Sequence, residues 1–401
     1  MTTTGVQLDP FAPSVLADPY PVYRNLRDYA PFAWNESVQA WLVSRYEDVT
    51  SVLGDRRFSS GPSRFVELTP SLSAMLGPFG RAPNMLMSDP PEHTRLRRLV
   101  SKAFTPKAIA GLRPRIEDLV HQILDSLAGS RGPVDIVREL AEPLPGTVIA
   151  EMIGVPASKR SLFKPLSSDI VAGFIRPSVT SAELLKQALA GISEIASLLR
   201  AEIQARREEP REDLITALLA AEENGDALSE DEIVVSAMML LVAGNETTTN
   251  AISNGLLALL QHPDQKQLLA GDRTLMPGAV EELLRFAGLS QSVRRVAIED
   301  IDLRGQQVSA GQTVIALLAA ANRDPNKFEN PDTFDIRRDT GDHLAFGDGI
   351  HFCLGAPLAR ATTGITISAL LDRFPDMQLA HDPVEWGSGF IRGLKRLHLR
   401  W

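Results

Sequence analysis

The sequence predicts a mainly α protein with a smaller β region, and three stretches carry that prediction. From Pro106 to Arg207 the apolar residues keep a helical period, parted only by short turns. Ser229 to Gln261 reads as one long, largely apolar helix. Residues 288–320 then turn to β character, with Gly305 and Gly311 as turn points. No repeat, low-complexity tract or Gly/Ser/Pro-rich linker divides the chain, so residues 1–401 are expected to form one domain.

Before these stretches, residues 10–31 are punctuated by proline, with a short helix over Tyr20–Tyr29. Phe32–Trp34 and Ala40–Ser44 read as a hairpin through Asn35-Glu36-Ser37, and Tyr46–Leu53 as a helix. The irregular stretch that follows, to Ser88, carries Phe65, Leu68, Met75, Leu86 and Met87 among Pro and Gly. A loop of that length is usually functional or disordered. Its apolar composition disfavours disorder and points to one wall of a lipophilic pocket. A helix starting near Asp89 puts His93 and Arg97 four apart on one face, with Arg95, Arg98, Lys102 and Lys107 nearby. Taken alone, that is a solvated basic face.

Helices are expected over Ile116–Leu127, Ile136–Ile153, Lys159–Phe174, Ala182–Arg207 and Asp213–Glu223. Phe163, Leu166, Ile170 and Phe174 serve there as core or as a pocket lid. Ser229-Glu230-Asp231-Glu232 fits a capping box at the start of the long helix. Some 30 residues at about 1.5 Å each give roughly 45 Å. Ile233–Ala243 is almost wholly apolar, so the helix is buried, and Gly244-Asn245-Glu246-Thr247-Thr248-Thr249-Asn250 then interrupts it. Glycine and threonine are poor helix formers, and a core carboxylate must be paired or solvated. A polar layer, a kink, or an opening that admits water would each account for the run. Farther on, Glu282 and Arg285 have the spacing of a helical ion pair. Strands are expected over Val293–Ile298, Ile301–Leu303, Gln307–Ser309 and Thr313–Leu318, and again at Leu397–Arg400.

Hydrophobic residues make up 44% and charged residues 23%, the balance of a globular protein rather than a disordered one. A net charge of −9 argues against general nucleic-acid binding. The first ten residues have neither a basic nor an apolar signal region, and no stretch offers about 18 uninterrupted apolar residues. No signal peptide and no membrane span are therefore expected, and with one cysteine the expected location is the cytoplasm.

That cysteine, Cys353, lies in Ala-Phe-Gly-Asp-Gly-Ile-His-Phe-Cys-Leu-Gly-Ala-Pro-Leu-Ala-Arg, residues 345–360. Gly347, Gly349 and Gly355 bracket it, and glycine permits tight turns and close backbone approach. A helix begins just after it, with Pro357 suited to a first turn. The free N–H groups of a helix start favour thiolate over thiol. Such a thiolate can ligate a single metal whose other ligands are not protein. A small buried hydrophobe is the plain alternative for a lone cysteine.

Phe346-x-x-Gly349-x-x-x-Cys353-x-Gly355 resembles the haem-binding loop of the cytochromes P-450. The resemblance extends along nearly the whole chain, and it implies the cytochrome P-450 fold, with haem between the long helix and the helix after the cysteine. It makes Cys353 the axial ligand of the iron in haem b, iron protoporphyrin IX, with Phe346, Gly347 and Gly355 around it. It gives His93, Arg97 and Arg295 to the haem propionates, with His351 either a third propionate donor or a haem-edge or surface histidine. Ala243 and Gly244 leave room for dioxygen, and Glu246 and Thr247 form the acid–alcohol pair that organises water for proton delivery. Glu282, Arg285 and either Arg338 or Arg337 become structural support. Arg95, Arg98, Lys102 and Lys107 are left facing out for an acidic redox partner.

The implied activity is a haem-thiolate monooxygenase acting on a C–H or C=C bond of a lipophilic small molecule. No flavin or iron–sulfur segment is present, so electrons would come from a ferredoxin or flavodoxin with its NAD(P)H-dependent reductase. The chain is expected to be a monomer. Arg64, Arg81 or Arg176 would each bind a substrate carboxylate or stand as a solvated charge. A peroxide-driven enzyme would not need Glu246 and Thr247, and a cysteine hydrolase would need a base and an orienting group beside Cys353. A haem-binding sensor without turnover is the third rival.

Overall fold

The computed structural model describes residues 12–61, 74, 76–102, 104–130, 132–160, 166, 182–223, 225–288, 290–380, 383–387 and 391–401. The expected pocket wall at Phe65–Met75, most of the expected helix Lys159–Phe174, and Arg64 and Arg176 lie outside them. Contacts divide the chain into two units, one made of residues 1–59, 117–141 and 247–401, the other of residues 60–116 and 142–246.

The first unit holds a five-stranded sheet in the order Phe32–Asn35, Ala40–Val43, Thr313–Ala316, Val293–Ala297, Phe58–Ser59. The first pair is an antiparallel hairpin. Its turn is set by the Asn35 side chain, whose Oδ1 accepts from the Ser37 and Val38 amides at 3.0 and 3.2 Å. Thr313–Ala316 then joins Ala40–Val43 in parallel, with nearly 270 residues of chain between them. Phe32 and Trp41 stack at 4.7 Å, inside a core that also takes Val49, Val52 and Leu53 from helix Tyr46–Gly54. Leu344, nine residues before Cys353, is part of that core. The expected helix from Ile136 begins instead as strand Val134–Asp135 and a π-turn Val137–Ala141, and the α-helix starts only at Pro143. Proline lacks the N–H that a helix interior needs and suits a first turn, so the chain restarts there.

In the same unit, helix Met276–Ala287 carries a fully buried ion pair. Arg285 donates to Glu282 through Nε at 2.7 Å and Nη2 at 2.8 Å, and through Nη1 to the carbonyls of Asn322 and Pro331 at 2.7 and 2.9 Å. Arg338, not Arg337, completes the group, 3.3 Å from Glu282 Oε1. The side chains are 0% exposed because the coil 322–338 wraps over them.

The second unit is helical: Glu92–Ser101, Pro143–Ile153, Ala182–Glu208 and Leu214–Leu219 belong to it, with the first half of the long helix Glu230–Gln261. The capping box forms reciprocally, Glu232 N–H to Ser229 Oγ at 3.3 Å and Ser229 N–H to Glu232 Oε2 at 2.8 Å. The helix expected over Asp213–Glu223 stops at Leu219. Glu222–Glu223 pairs with Asp226–Ala227 instead, across a turn with Gly225 at φ +80°. The long helix runs on to Gln261, as its sequence predicts, and the run 244–250 does not break it. Gly244 is there for packing: a Cβ on it would meet Ile149 Cδ1 at 2.2 Å. Tertiary contact overrides the weak helix propensity of this run.

Arg285→Ala would leave Glu282 charged and buried, and is expected to cost about 3–5 kcal/mol. Arg337→Ala, at an exposed position, is expected to change stability by less than about 0.5 kcal/mol. Urea unfolding of the two variants checks the contrast.

Candidate active site

Cys353 is half-buried and its loop is held by backbone bonds. Its N–H donates to the Phe346 carbonyl at 3.0 Å, Phe352 N–H to Gly349 O at 3.1 Å, and Gly347 N–H to Leu344 O at 3.0 Å. Gly347 and Gly349 sit at φ +71° and +67°, the left-handed region that side chains resist. Gly349 also lies against helix Tyr46–Gly54, where a Cβ would be 2.8 Å from the Leu53 carbonyl oxygen. Tyr46 Oη donates to Asp342 O at 2.7 Å, and the Leu344 amide donates to Asn322 Oδ1 at 2.6 Å. Helix Ala356–Arg373 starts three residues after the cysteine, as its sequence predicts.

Phe346 is fixed from several sides. Its ring lies 4.5 Å from the Arg360 guanidinium and 5.8 Å from the His343 ring. Arg360 and His343 both bond Glu281. Burial opposes ionisation of Glu281, but the hydrogen bonds from His343 and Arg360 outweigh it and bring its pKa down to about 2. None of these three residues stood out in the sequence, because each comes from a different element and their spacing matches no motif.

The remaining site residues divide between the units. Thr247, Arg295, Phe346, Gly347, His351, Cys353 and Gly355 are in the first; His93, Arg97, Ala243, Gly244 and Glu246 are in the second. Ala251, one helical turn beyond Thr247, packs in one apolar cluster with Ala345 and Phe346. On the long helix, residues 233–238 and 248–259 are buried, whereas Ala243 is exposed and Gly244 to Thr247 are half-buried. Arg295 is 8% exposed, on the strand Val293–Ala297, and His93 is 2% exposed, on Glu92–Ser101. His351 closes the short 3₁₀ turn Gly349–His351.

This donor set suits haem. Among the described residues no three His, Cys, Asp or Glu side chains gather as metal ligands, so a metal here depends on one thiolate and on ligands from outside the protein. Nearly buried basic side chains suit carboxylates. A stretch of accessible helix between buried flanks matches a surface that a bound group covers.

The cytochrome P-450 family model matches residues 33–383. The chain belongs to the cytochrome P-450 family. Cytochrome P-450 monooxygenase PikC of Streptomyces venezuelae is 43% identical over 394 residues, 96% of this chain and 91% of that protein. Mycinamicin IV hydroxylase/epoxidase of Micromonospora griseorubida is 39% identical over 368 residues, covering 90% of each. The solved structure of the bacillaene polyketide synthase cytochrome P-450 PksS of Bacillus subtilis superposes with a TM-score of 0.90 at 36% identity, over 98% of this chain and 99% of that one. This cytochrome P-450 is thus a haem-dependent monooxygenase, with the mainly α fold its sequence predicts. Among the described residues, no helix is long and apolar enough to cross a membrane.

One expectation is corrected. Arg95 does not face out as part of a cationic patch; it bonds Glu232 at 2.8 Å, Asp226 at 3.2 Å and Glu92 at 3.4 Å. Arg98 is 3.7 Å from Asp226, and Lys102 donates to the Glu222 carbonyl at 2.9 Å. The hairpin 222–227 brings the Asp226 carboxylate and the Glu222 carbonyl onto this helix, pairings 120 or more residues apart in sequence. Arg81, a candidate for a substrate carboxylate, is paired with Asp231 at 3.1 Å.

Gly349→Ala is expected to destabilise by about 1–3 kcal/mol, through its φ and the clash with Leu53, as measured by thermal unfolding. Glu281 has a depressed folded pKa, so its stabilisation is present above its ordinary value of 4.5 and is lost as pH falls toward about 2. The stability gap between wild type and Glu281→Gln, from urea midpoints, should narrow across that window.

Proposed function

We propose that this monooxygenase inserts one atom of dioxygen into a C–H or C=C bond of a polyketide-type lipophilic molecule, the other atom leaving as water, and that the Cys353 thiolate would hold its haem iron. The observation that carries the reading is the lone cysteine, half-buried on a backbone-braced glycine loop, in a chain of this family. Bound haem supplies dioxygen activation, which a thiolate ligand promotes by pushing electron density onto iron.

The protein's share is placement and protons. The Cys353 N–H is engaged by Phe346, so the backbone fixes where the sulfur sits before any ligand arrives. His93, Arg97, Arg295 and His351 hold the propionates. Ala243 carries too little side chain to fill the space beside the accessible part of the long helix, and Gly244 lets Ile149 pack close to its backbone. Glu246 passes a proton from its carboxyl oxygen to water held by Thr247 Oγ1, a general-acid role. Phe346, Gly347 and Gly355 shape the loop around the sulfur.

The substrate class rests on what the relatives' names state, mycinamicin IV for one and a polyketide synthase for another. Leu86 and Met87, both about half exposed at 51% and 48%, are apolar side chains free to meet such a molecule. Electrons come from a ferredoxin or flavodoxin with its NAD(P)H-dependent reductase. Residues 1–401 act as one catalytic domain, which the family match across both units supports; the chain works as a monomer in the cytoplasm.

The reduced, carbon-monoxide-treated protein should show the red-shifted Soret band of thiolate ligation, and Cys353→Ala should lack it. Survival of the band in that variant would refute the ligand assignment. Thr247→Ala and Glu246→Gln should lower product formed per electron supplied, with product rates falling about 10²-fold or more. Turnover with hydrogen peroxide that matches turnover with NAD(P)H and a redox chain would point to a peroxide-driven enzyme instead.

A further inference from the structure

Three charged or polar side chains converge on the residue that bonds the cysteine. Glu281 lies on helix Met276–Ala287, His343 ten residues before Cys353, and Arg360 on the helix after it. Arg360 donates to Glu281 in a fork, Nε to Oε1 at 2.7 Å and Nη2 to Oε2 at 2.8 Å. His343 Nε2 lies 2.9 Å from the same Oε2. The Ala345 amide donates to His343 Nδ1 at 3.1 Å, so the neutral ring carries its proton on Nε2 and gives it to Glu281. The imidazole is 6% exposed and cannot easily find another partner.

The guanidinium of Arg360 serves two neighbours at once, forking onto the carboxylate while its central carbon lies 4.5 Å from the centre of the Phe346 ring. His343 stands 5.8 Å from that ring, tilted at 40°. Phe346 in turn gives its carbonyl to the Cys353 N–H. An arginine that merely balanced surface charge would not need this arrangement. A lysine there would keep the charge and lose the fork.

We propose that Glu281, His343 and Arg360 are positioning residues for Cys353: they hold Phe346 in place and thereby set how far water reaches the thiolate. The proposal rests on Cys353 being the axial ligand. Hydrogen bonds to a metal-bound sulfur, and its solvent exposure, shift the potential of the metal. Loosening Phe346 admits water as a donor to the sulfur, weakens its donation to iron and raises the reduction potential.

The test uses the haem-loaded protein without substrate. In Glu281→Gln and in Arg360→Lys, the reduction potential should move upward, and the red-shifted carbon-monoxide band should decay several-fold faster than in wild type. In a Phe346→Ala background, adding Glu281→Gln should produce no further shift, because the route through the ring is already gone. A stability loss with potential and decay unchanged would mean a structural brace only, and the proposal falls. It falls equally if Glu281→Gln shifts the potential as much without the Phe346 ring as with it. Should Glu281→Gln fail to take up haem, Arg360→Lys carries the same comparison. Absence of the red-shifted band in wild type would sink the axial-ligand premise itself, a different failure from an unmoved potential.

Discussion

Two charges without access to water set the frame of the cysteine-bearing unit. Glu282 and Arg285 are fully buried, and buried ions persist only where their hydrogen-bonding groups are used. Arg285 therefore needs the carbonyls of Asn322 and Pro331, and Glu282 needs Arg338 and the Asp335 amide. Those demands pull the coil 322–338 into one path. Asn322, placed that way, offers its side-chain oxygen to the Leu344 amide at the entry to the cysteine loop. The ion pair does no chemistry, yet the loop's position descends from it.

The loop itself is shaped by backbone rather than by side chains. Two glycines in the left-handed region reverse the chain, one of them against a carbonyl oxygen where any side chain would collide. The Cys353 N–H is spent on Phe346, and the side chains around Phe346 are locked to Glu281. A sulfur held this way needs little rearrangement to meet a metal. In an oxidising enzyme that matters, because a mobile thiolate would be hydrated and a weaker donor to iron.

The long helix shows the opposite case, where polar residues are tolerated without breaking the element. Gly244 brings the Ile149 side chain close, and the Ser253 hydroxyl donates to the Thr249 carbonyl at 2.9 Å. Packing on either flank holds the backbone helical while residues 243–247 stay accessible. The charges of the helix Glu92–Ser101 are likewise settled by folding. Arg95 and Arg98 meet Asp226 from a distant hairpin, and Arg95 also meets Glu232 from the long helix, which leaves less positive surface than the sequence suggests.

Much of this protein is legible in one dimension. The helix over Tyr20–Tyr29, the capping box at Ser229, the strand Ile301–Leu303 and the helix after the cysteine all rest on local rules, capping, turn chemistry and periodicity, which neighbouring residues alone satisfy. What the sequence alone determined is the position of several turns and caps and, through the resemblance of its cysteine loop, the family and the class of reaction. Tertiary structure decided that Arg338 rather than Arg337 meets Glu282, that Gly244 packs against Ile149, that Arg95 is neutralised, and that His343 and Arg360 reach both Glu281 and Phe346. Each of these depends on which distant segment arrives at a given side chain, and charge pairing and close packing act through space, with no trace in the spacing of residues along the chain.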